Sequence, residues 1–189
     1  MNTDIFSQLS DDIRHQIIAL PYKAGMLISH ADDVEGEDDD FSEMKALEKA
    51  FPEVAKLHPD SALVQAVSLA IIDSPSFWPQ WENECFFVVR QAPDIMQQVI
   101  QNFGVDEARE YRAYIMEIGK LVARAHGEFE AFDDMAAGQE KESFFAGIIG
   151  RLTQSMAQSQ ETEGGHPANI SASEKAALKE LSDALRVDG

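Results

Sequence analysis

The heptapeptide Gly25-Met26-Leu27-Ile28-Ser29-His30-Ala31 returns later in the chain as Gly119-Lys120-Leu121-Val122-Ala123-Arg124-Ala125. Both copies read Gly-x-Leu-(Ile/Val)-small-basic-Ala, with His30 as the basic residue of the first. Apolar residues at helical spacing precede each copy: Ile13, Ile17 and Leu20 in one case, Tyr111, Tyr114, Ile115 and Ile118 in the other. Each copy then enters a loop that ends at a new helix start. Phe41-Ser42-Glu43-x-x-Ala46-Leu47 follows the first, and Ala172-Ser173-Glu174-x-x-Ala177-Leu178 follows the second. Two matched blocks in the same order predict two related helix–loop–helix halves that bury their apolar faces against each other. The alternative is a chance likeness of two amphipathic units. The first repeat covers 21–56. The second covers 115–186 and carries an insertion over 133–169.

Outward from these blocks the period stays helical. Leu63, Ala66, Val67, Ala70 and Ile71 form another stripe, and no stretch sustains apolar–polar alternation. Cys85-Phe86-Phe87-Val88-Val89 has no second strand to pair with and is placed in a helix. Pro21 is expected to start a new helix after Leu20. Pro52, Pro59, Pro75, Pro79 and Pro93 mark further breaks. Asp106 and Glu107 after Gly104 put acids in a helix's first turn. The expected helices are 4–19, 21–31, 40–56, 60–73, 79–91, 93–102, 106–131, 137–158 and 171–186. The expectation is one all-α domain over 1–189, a bundle of about seven to nine helices.

The 189 residues include 34 Asp and Glu against 15 Lys and Arg, a net charge of −19. A chain this long buries roughly two-thirds of its surface and needs no disulfide or metal to hold a core. The charge argues against binding nucleic-acid phosphates or an anionic lipid surface. Cys85 is the lone cysteine, so no intrachain disulfide can form, which fits a reducing compartment. The first residues lack a basic region followed by an apolar run, and no apolar run approaches a membrane span. A soluble, cytoplasmic protein is the expectation.

The charge has a centre. From Asp32 to Glu43, eight of twelve residues are acidic: Asp32, Asp33, Glu35, Glu37, Asp38, Asp39, Asp40 and Glu43. So many anions repel unless solvent or a cation screens them. Hard cations such as calcium take six to eight oxygen ligands, and Gly36 gives the loop a flexible point. Asp32, Asp33, Glu35, Asp40 and Glu43 are the candidate ligands for Ca2+ or another divalent cation. The loop is not an EF-hand. With Asp32 first and Glu43 twelfth, Val34 and Gly36 fall at the third and fifth ligand positions, and Glu37 at the sixth, where glycine belongs. The other reading is a solvated acidic loop capped onto helix 40–56. Asp40 and Glu43 have capping-box spacing, as do Ser171 and Glu174.

The Ala31-Asp32-Asp33 turn, the acidic loop and the helix start at Glu43 resemble the tellurite-resistance TerB-like family. Ala125-His126-Gly127-Glu128 stands at the equivalent turn of the second repeat. Asp33 stands where the family commonly has Gly, and His126 where it has Asp. The resemblance covers two segments of about thirty residues. It implies an all-α bundle of two halves, a tellurite-type stress response, and divalent metal held by acidic residues, carried most directly by Asp32 and Glu43.

The five histidines form no His-Glu-x-x-His or paired Cys/His spacing, so a structural zinc site is not expected. If the halves pack about a pseudo-two-fold axis, His30 and His126 approach one end of the bundle with Asp32 and Glu128. That arrangement suits a transition metal, and a metal-dependent hydrolase is the enzymatic alternative. The competing reading of both histidines is a helix C-terminal cap. Cys85, between Glu84 and Phe86, is expected to be buried with a raised thiol pKa. Phe77-Trp78-Pro79-Gln80-Trp81 reads as core or as a partner surface. So does the stripe Phe145, Ile148, Ile149 and Leu152 in helix 137–158, the surface expected for a homodimer or protein partner. A purely structural dimerisation module is the third functional class.

Overall fold

Ser10 opens the first helix. Its hydroxyl accepts the Ile13 N–H at 3.4 Å, and Asp11 and Asp12 complement the dipole of the first turn. The computed structural model describes residues 5–32, 40–125 and 172–187. The side chains of 32, 40–46 and 124–125 lie outside that description. The expected helix 137–158 and its apolar stripe also lie outside the described residues.

Helix α1 (Asp11–Ser29) ends in a 3-10 turn, His30–Asp32. Helices α2 (Asp40–Ala55) and α3 (Ala62–Ile72) follow. A 3-10 turn at Pro75–Phe77 leads into the short α4 (Trp78–Asn83), and another at Cys85–Phe87 leads into α5 (Val88–Phe103). Helix α6 (Val105–Ala125) and helix α7 (Ala172–Ala184) complete the described elements. Gly104 separates α5 from α6 at φ +90°, a backbone that favours glycine, while its N–H bonds the Ile100 carbonyl. The protein is an all-α bundle, with no strand among the described residues. None of the described helices is long and apolar enough to cross a membrane.

Three prolines do not break helices as their sequence suggests. Pro21, Pro52 and Pro93 lie inside α1, α2 and α5. The correction has a clear physical basis at Pro21. A proline lacks the N–H that would bond the carbonyl four residues back, here Ile17. The Tyr111 hydroxyl donates to that carbonyl instead, at 2.6 Å. A buried polar group is satisfied across two helices, and α1 continues through Pro21.

Contacts along α1 and α6 give their relative direction. Tyr111 meets Ile17, and further on Gly25 lies against Ile118 and Gly119 against Ile28. Both helices therefore run the same way. A Cβ at Gly25 would sit 2.6 Å from Leu47 of α2, and one at Gly119 would sit 3.2 Å from Leu178 of α7. Gly25 and Leu47 align with Gly119 and Leu178 in the repeated sequence blocks, so aligned residues make equivalent contacts. The Tyr114 hydroxyl donates to the Phe51 carbonyl at 3.2 Å, and Arg112 donates to Ser182 Oγ at 2.9 Å. These contacts set α2 and α7 antiparallel to α6. The last described residue of the α1 end (Asp32), the start of α2 (Asp40), the end of α6 (Ala125) and the start of α7 (Ala172) thus share one end of the bundle.

The core fills the space between these helices. Tyr22 is fully buried, with the rings of Trp78, Phe51 and Trp81 at 5.5, 6.0 and 5.6 Å. The Tyr22 hydroxyl has no hydrogen-bond partner among the described residues, and burial raises its pKa. Cys85 is buried as expected, and burial, aided by Glu82, pushes its thiol pKa up to about 11. Lys23 is buried and bonds Glu84 Oε2 at 2.5 Å, and this bond is the main cause of the lowered Glu84 pKa.

Tyr111→Phe should cost about 1–2 kcal/mol, because the Ile17 carbonyl is then buried without a donor. In a Pro21→Ala background the same substitution should cost less, since the alanine supplies the missing N–H. Urea denaturation of the four proteins checks this through the coupling energy.

Candidate functional site

Pro59 and the turn before it interrupt the chain between α2 and α3, and the interruption places a histidine against α6. His58 is 4 % exposed. Its Nδ1 lies 2.6 Å from Glu110 Oε2 and its Nε2 lies 2.6 Å from Glu117 Oε2. The two glutamates stand two turns apart on one face of α6 and hold the ring at both edges. The Tyr114 ring meets the imidazole edge-on at 6.1 Å. Gln65 of α3 secures the backbone, its amide donating to the carbonyls of His58 and Ala55.

An imidazole hydrogen-bonded to two carboxylates is best matched when both nitrogens carry protons. Burial is the largest single influence and opposes that charge. The hydrogen bonds to Glu117 and Glu110, with their negative charges, together outweigh it and raise the His58 pKa.

Three residues further on, the same connector ends in a helix cap. Ser61 Oγ accepts the Val64 N–H at 3.1 Å and donates to Glu107 Oε2 at 2.6 Å. Glu107 also accepts the N–H groups of Ala62 and Leu63, each at 3.2 Å. A carboxylate from α6 thus satisfies the first donors of α3 and complements its dipole. Beside these groups opens a cleft of about 470 Å³ lined by Leu57, His58, Pro59, Asp60, Ser61, Asp106, Glu107, Arg109 and Glu110.

The sequence-predicted ligands stand elsewhere. Asp32 closes the 3-10 turn after α1, Asp40 begins α2, and Glu43 lies in the first turn of α2. The side chains of these three lie outside the described residues, as do Asp33, Glu35, His126 and Glu128 altogether. His30 is described. Its backbone caps α1 through the carbonyls of Ile28 and Met26. Its ring lies 5.6 Å from Phe86, and Nε2 stands 3.9 Å from Glu82 Oε1. Among the described residues, no three His, Cys, Asp or Glu side chains are grouped to hold a metal ion.

The aromatic segment 77–87 divides. Trp78 and Trp81 are buried, and their indole N–H groups bond the Ile71 carbonyl and His15 Nε2. Phe77, Phe86 and Phe87 face outward, 44, 64 and 48 % exposed.

Sequence reasoning passed over His58 as one of five unpatterned histidines. A trace of it is legible: Glu110 and Glu117 repeat at i, i+7 on a stripe that otherwise buries apolar residues. The histidine that answers them is far away in sequence, and no local spacing joins them.

Compared with known proteins, the chain matches no family model, no curated protein and no solved structure.

His58 also makes stability depend on pH. Its folded pKa is raised, so its contribution is fully present below the unfolded value of about 6.5 and is lost as pH rises through the folded value. The urea midpoint should therefore fall over that window, and His58→Gln should flatten the fall while lowering the midpoint on the acid side.

Proposed function

We propose that this protein is a TerB-like helical module that works by binding, with a divalent cation held by the acidic loop 32–43 in a cytoplasmic, tellurite-type stress response. The observation that carries the reading is the repeated packing of Gly25 on Leu47 and Gly119 on Leu178. It supports two related halves whose loops leave the fold at one end. The first of those loops holds eight acids in twelve residues, with its two helix ends set by the fold. Closing such a loop concentrates negative charge, and a hard cation offsets that repulsion. Asp32, Asp33, Glu35, Asp40 and Glu43 are the proposed ligands, with His30, His126 and Glu128 as further donors at the same end. Binding is favoured over catalysis by the groups at the cleft, where His58 and Glu107 are each engaged by their neighbours.

Calcium, magnesium, manganese and zinc should be titrated separately by calorimetry and thermal melting. At ten times Kd, a bound ion should stabilise the fold by about 1.4 kcal/mol. Replacing the five proposed ligands by Asn and Gln should abolish both signals. No heat and no melting shift for any ion at millimolar levels would remove the metal from the reading.

A protein partner is the second reading, favoured by the outward Phe77, Phe86 and Phe87. The stripe Phe145, Ile148, Ile149 and Leu152 is the other proposed surface, and a homodimer is its simplest occupant. Light scattering should show a mass above one chain that falls to one chain in Ile148→Asp/Ile149→Asp. An unchanged mass in the folded variant removes that interface.

A further inference from the structure

We propose that His15 is an acid-released clasp on the short helix α4: its unprotonated Nε2 holds the Trp81 indole, and protonation there frees α4 to lift from α1. This goes beyond the cation reading and does not rest on it.

The inference starts from one hydrogen. An indole N–H can only donate, and that of Trp81 meets His15 Nε2 at 3.0 Å. His15 Nε2 is therefore the acceptor, and the neutral ring carries its proton on Nδ1. A second proton would go onto Nε2 and face the indole N–H. Two donors cannot bond each other, so protonation of His15 and this hydrogen bond exclude one another. The His15 ring is half-buried and can turn to water, whereas Trp81 is 1 % exposed. Phe77 is coupled to both rings. It meets His15 edge-on at 5.0 Å and stacks on Trp81 at 6.0 Å.

Trp78, Trp81 and Glu84 each tie this segment to the bundle. Trp78 Nε1 donates to the Ile71 carbonyl, Trp81 donates to His15, and Glu84 accepts from Lys23. The Ile71 carbonyl does not titrate. The Glu84 pKa is lowered, first of all by the Lys23 bond, so that pair persists below the histidine range. The His15 bond is the one of these three that mild acid removes. Tyr22 makes the opening less costly. It packs against Trp78 and Trp81, and its buried hydroxyl has no hydrogen-bond partner among the described residues. Water that reaches this hydroxyl offsets part of the lost packing.

The charges around the ring give it somewhere to go once protonated. The Pro75–Phe77 turn carries none, and Glu82 of α4 stands toward His30. Glu84, held by Lys23 and Gln80, is near enough to sense a charge on His15. Asp11 and Asp12 precede His15 on α1, while Arg14 lies over the Phe6 ring. The clasp is thus closed at higher pH and open at lower pH, and opening uncovers aromatic surface beside the outward Phe77.

The test is an NMR titration of the full chain from about pH 8 to about pH 5, following the His15 ring and the two indole N–H groups. Trp78, bonded to a carbonyl, is the internal reference. Protection of the Trp81 N–H from solvent exchange, relative to Trp78, should fall about tenfold through the His15 midpoint, the loss of one hydrogen bond. The contact between the Phe77 and Trp81 rings should weaken in step. In His15→Gln the fall should vanish, because an amide does not titrate. The ring nitrogen shifts of the wild type, which need no variant, should show the Nδ1–H form at high pH. A neutral ring with its proton on Nε2, an unchanged Trp81 protection across the His15 step, or a fall that persists in His15→Gln would each overturn the clasp.

Discussion

The close seating of α2 on α1 at Gly25 and of α7 on α6 at Gly119 is the constraint on which the rest of the bundle hangs. A side chain at either glycine would press on a leucine of the flanking helix, Leu47 or Leu178. With hydrogen there instead, α2 and α7 settle against the central pair at equivalent positions. Interiors are packed to crystal-like density, so two such contacts fix the register of four helices at once. That register brings Asp32, the start of α2 at Asp40, the end of α6 at Ala125 and the start of α7 at Ala172 to one end.

The contact between α1 and α6 also answers a polar problem set by Pro21. Pro21 leaves the Ile17 carbonyl without its helical donor, and Tyr111 supplies one from α6. Elsewhere Glu107 reaches from α6 to the head of α3, and Glu110 and Glu117 reach from α6 to His58. Helix α6 thus carries the groups that satisfy backbone and side-chain polarity on three neighbouring parts of the fold. An unmet buried group costs more than a met one contributes, so these bonds select the native arrangement more than they add to its stability.

How much was legible depends on the range of the interaction. The helical stripes and the burial of Cys85 follow from residues within a turn or two of each other. Pro21 misleads because the rule that proline ends a helix assumes that no distant group will take the freed carbonyl. His58 is silent for the same reason. Its two partners sit on a helix met only after α3, α4 and α5 have intervened, and a lone histidine beside a proline carries no spacing that points to them. The acidic loop is the opposite case, since its charge is written locally and in full.

By itself the sequence determined an all-α chain, its repeated Gly–Leu blocks, and the location of its excess negative charge, because periodicity, composition and local charge are properties of neighbouring residues. The tertiary structure alone decided that α1 runs unbroken through Pro21, that α1 and α6 lie parallel, and that one histidine is held between two carboxylates of α6. Those features depend on which surfaces meet, and the meeting is set by close packing across helices far apart in the chain.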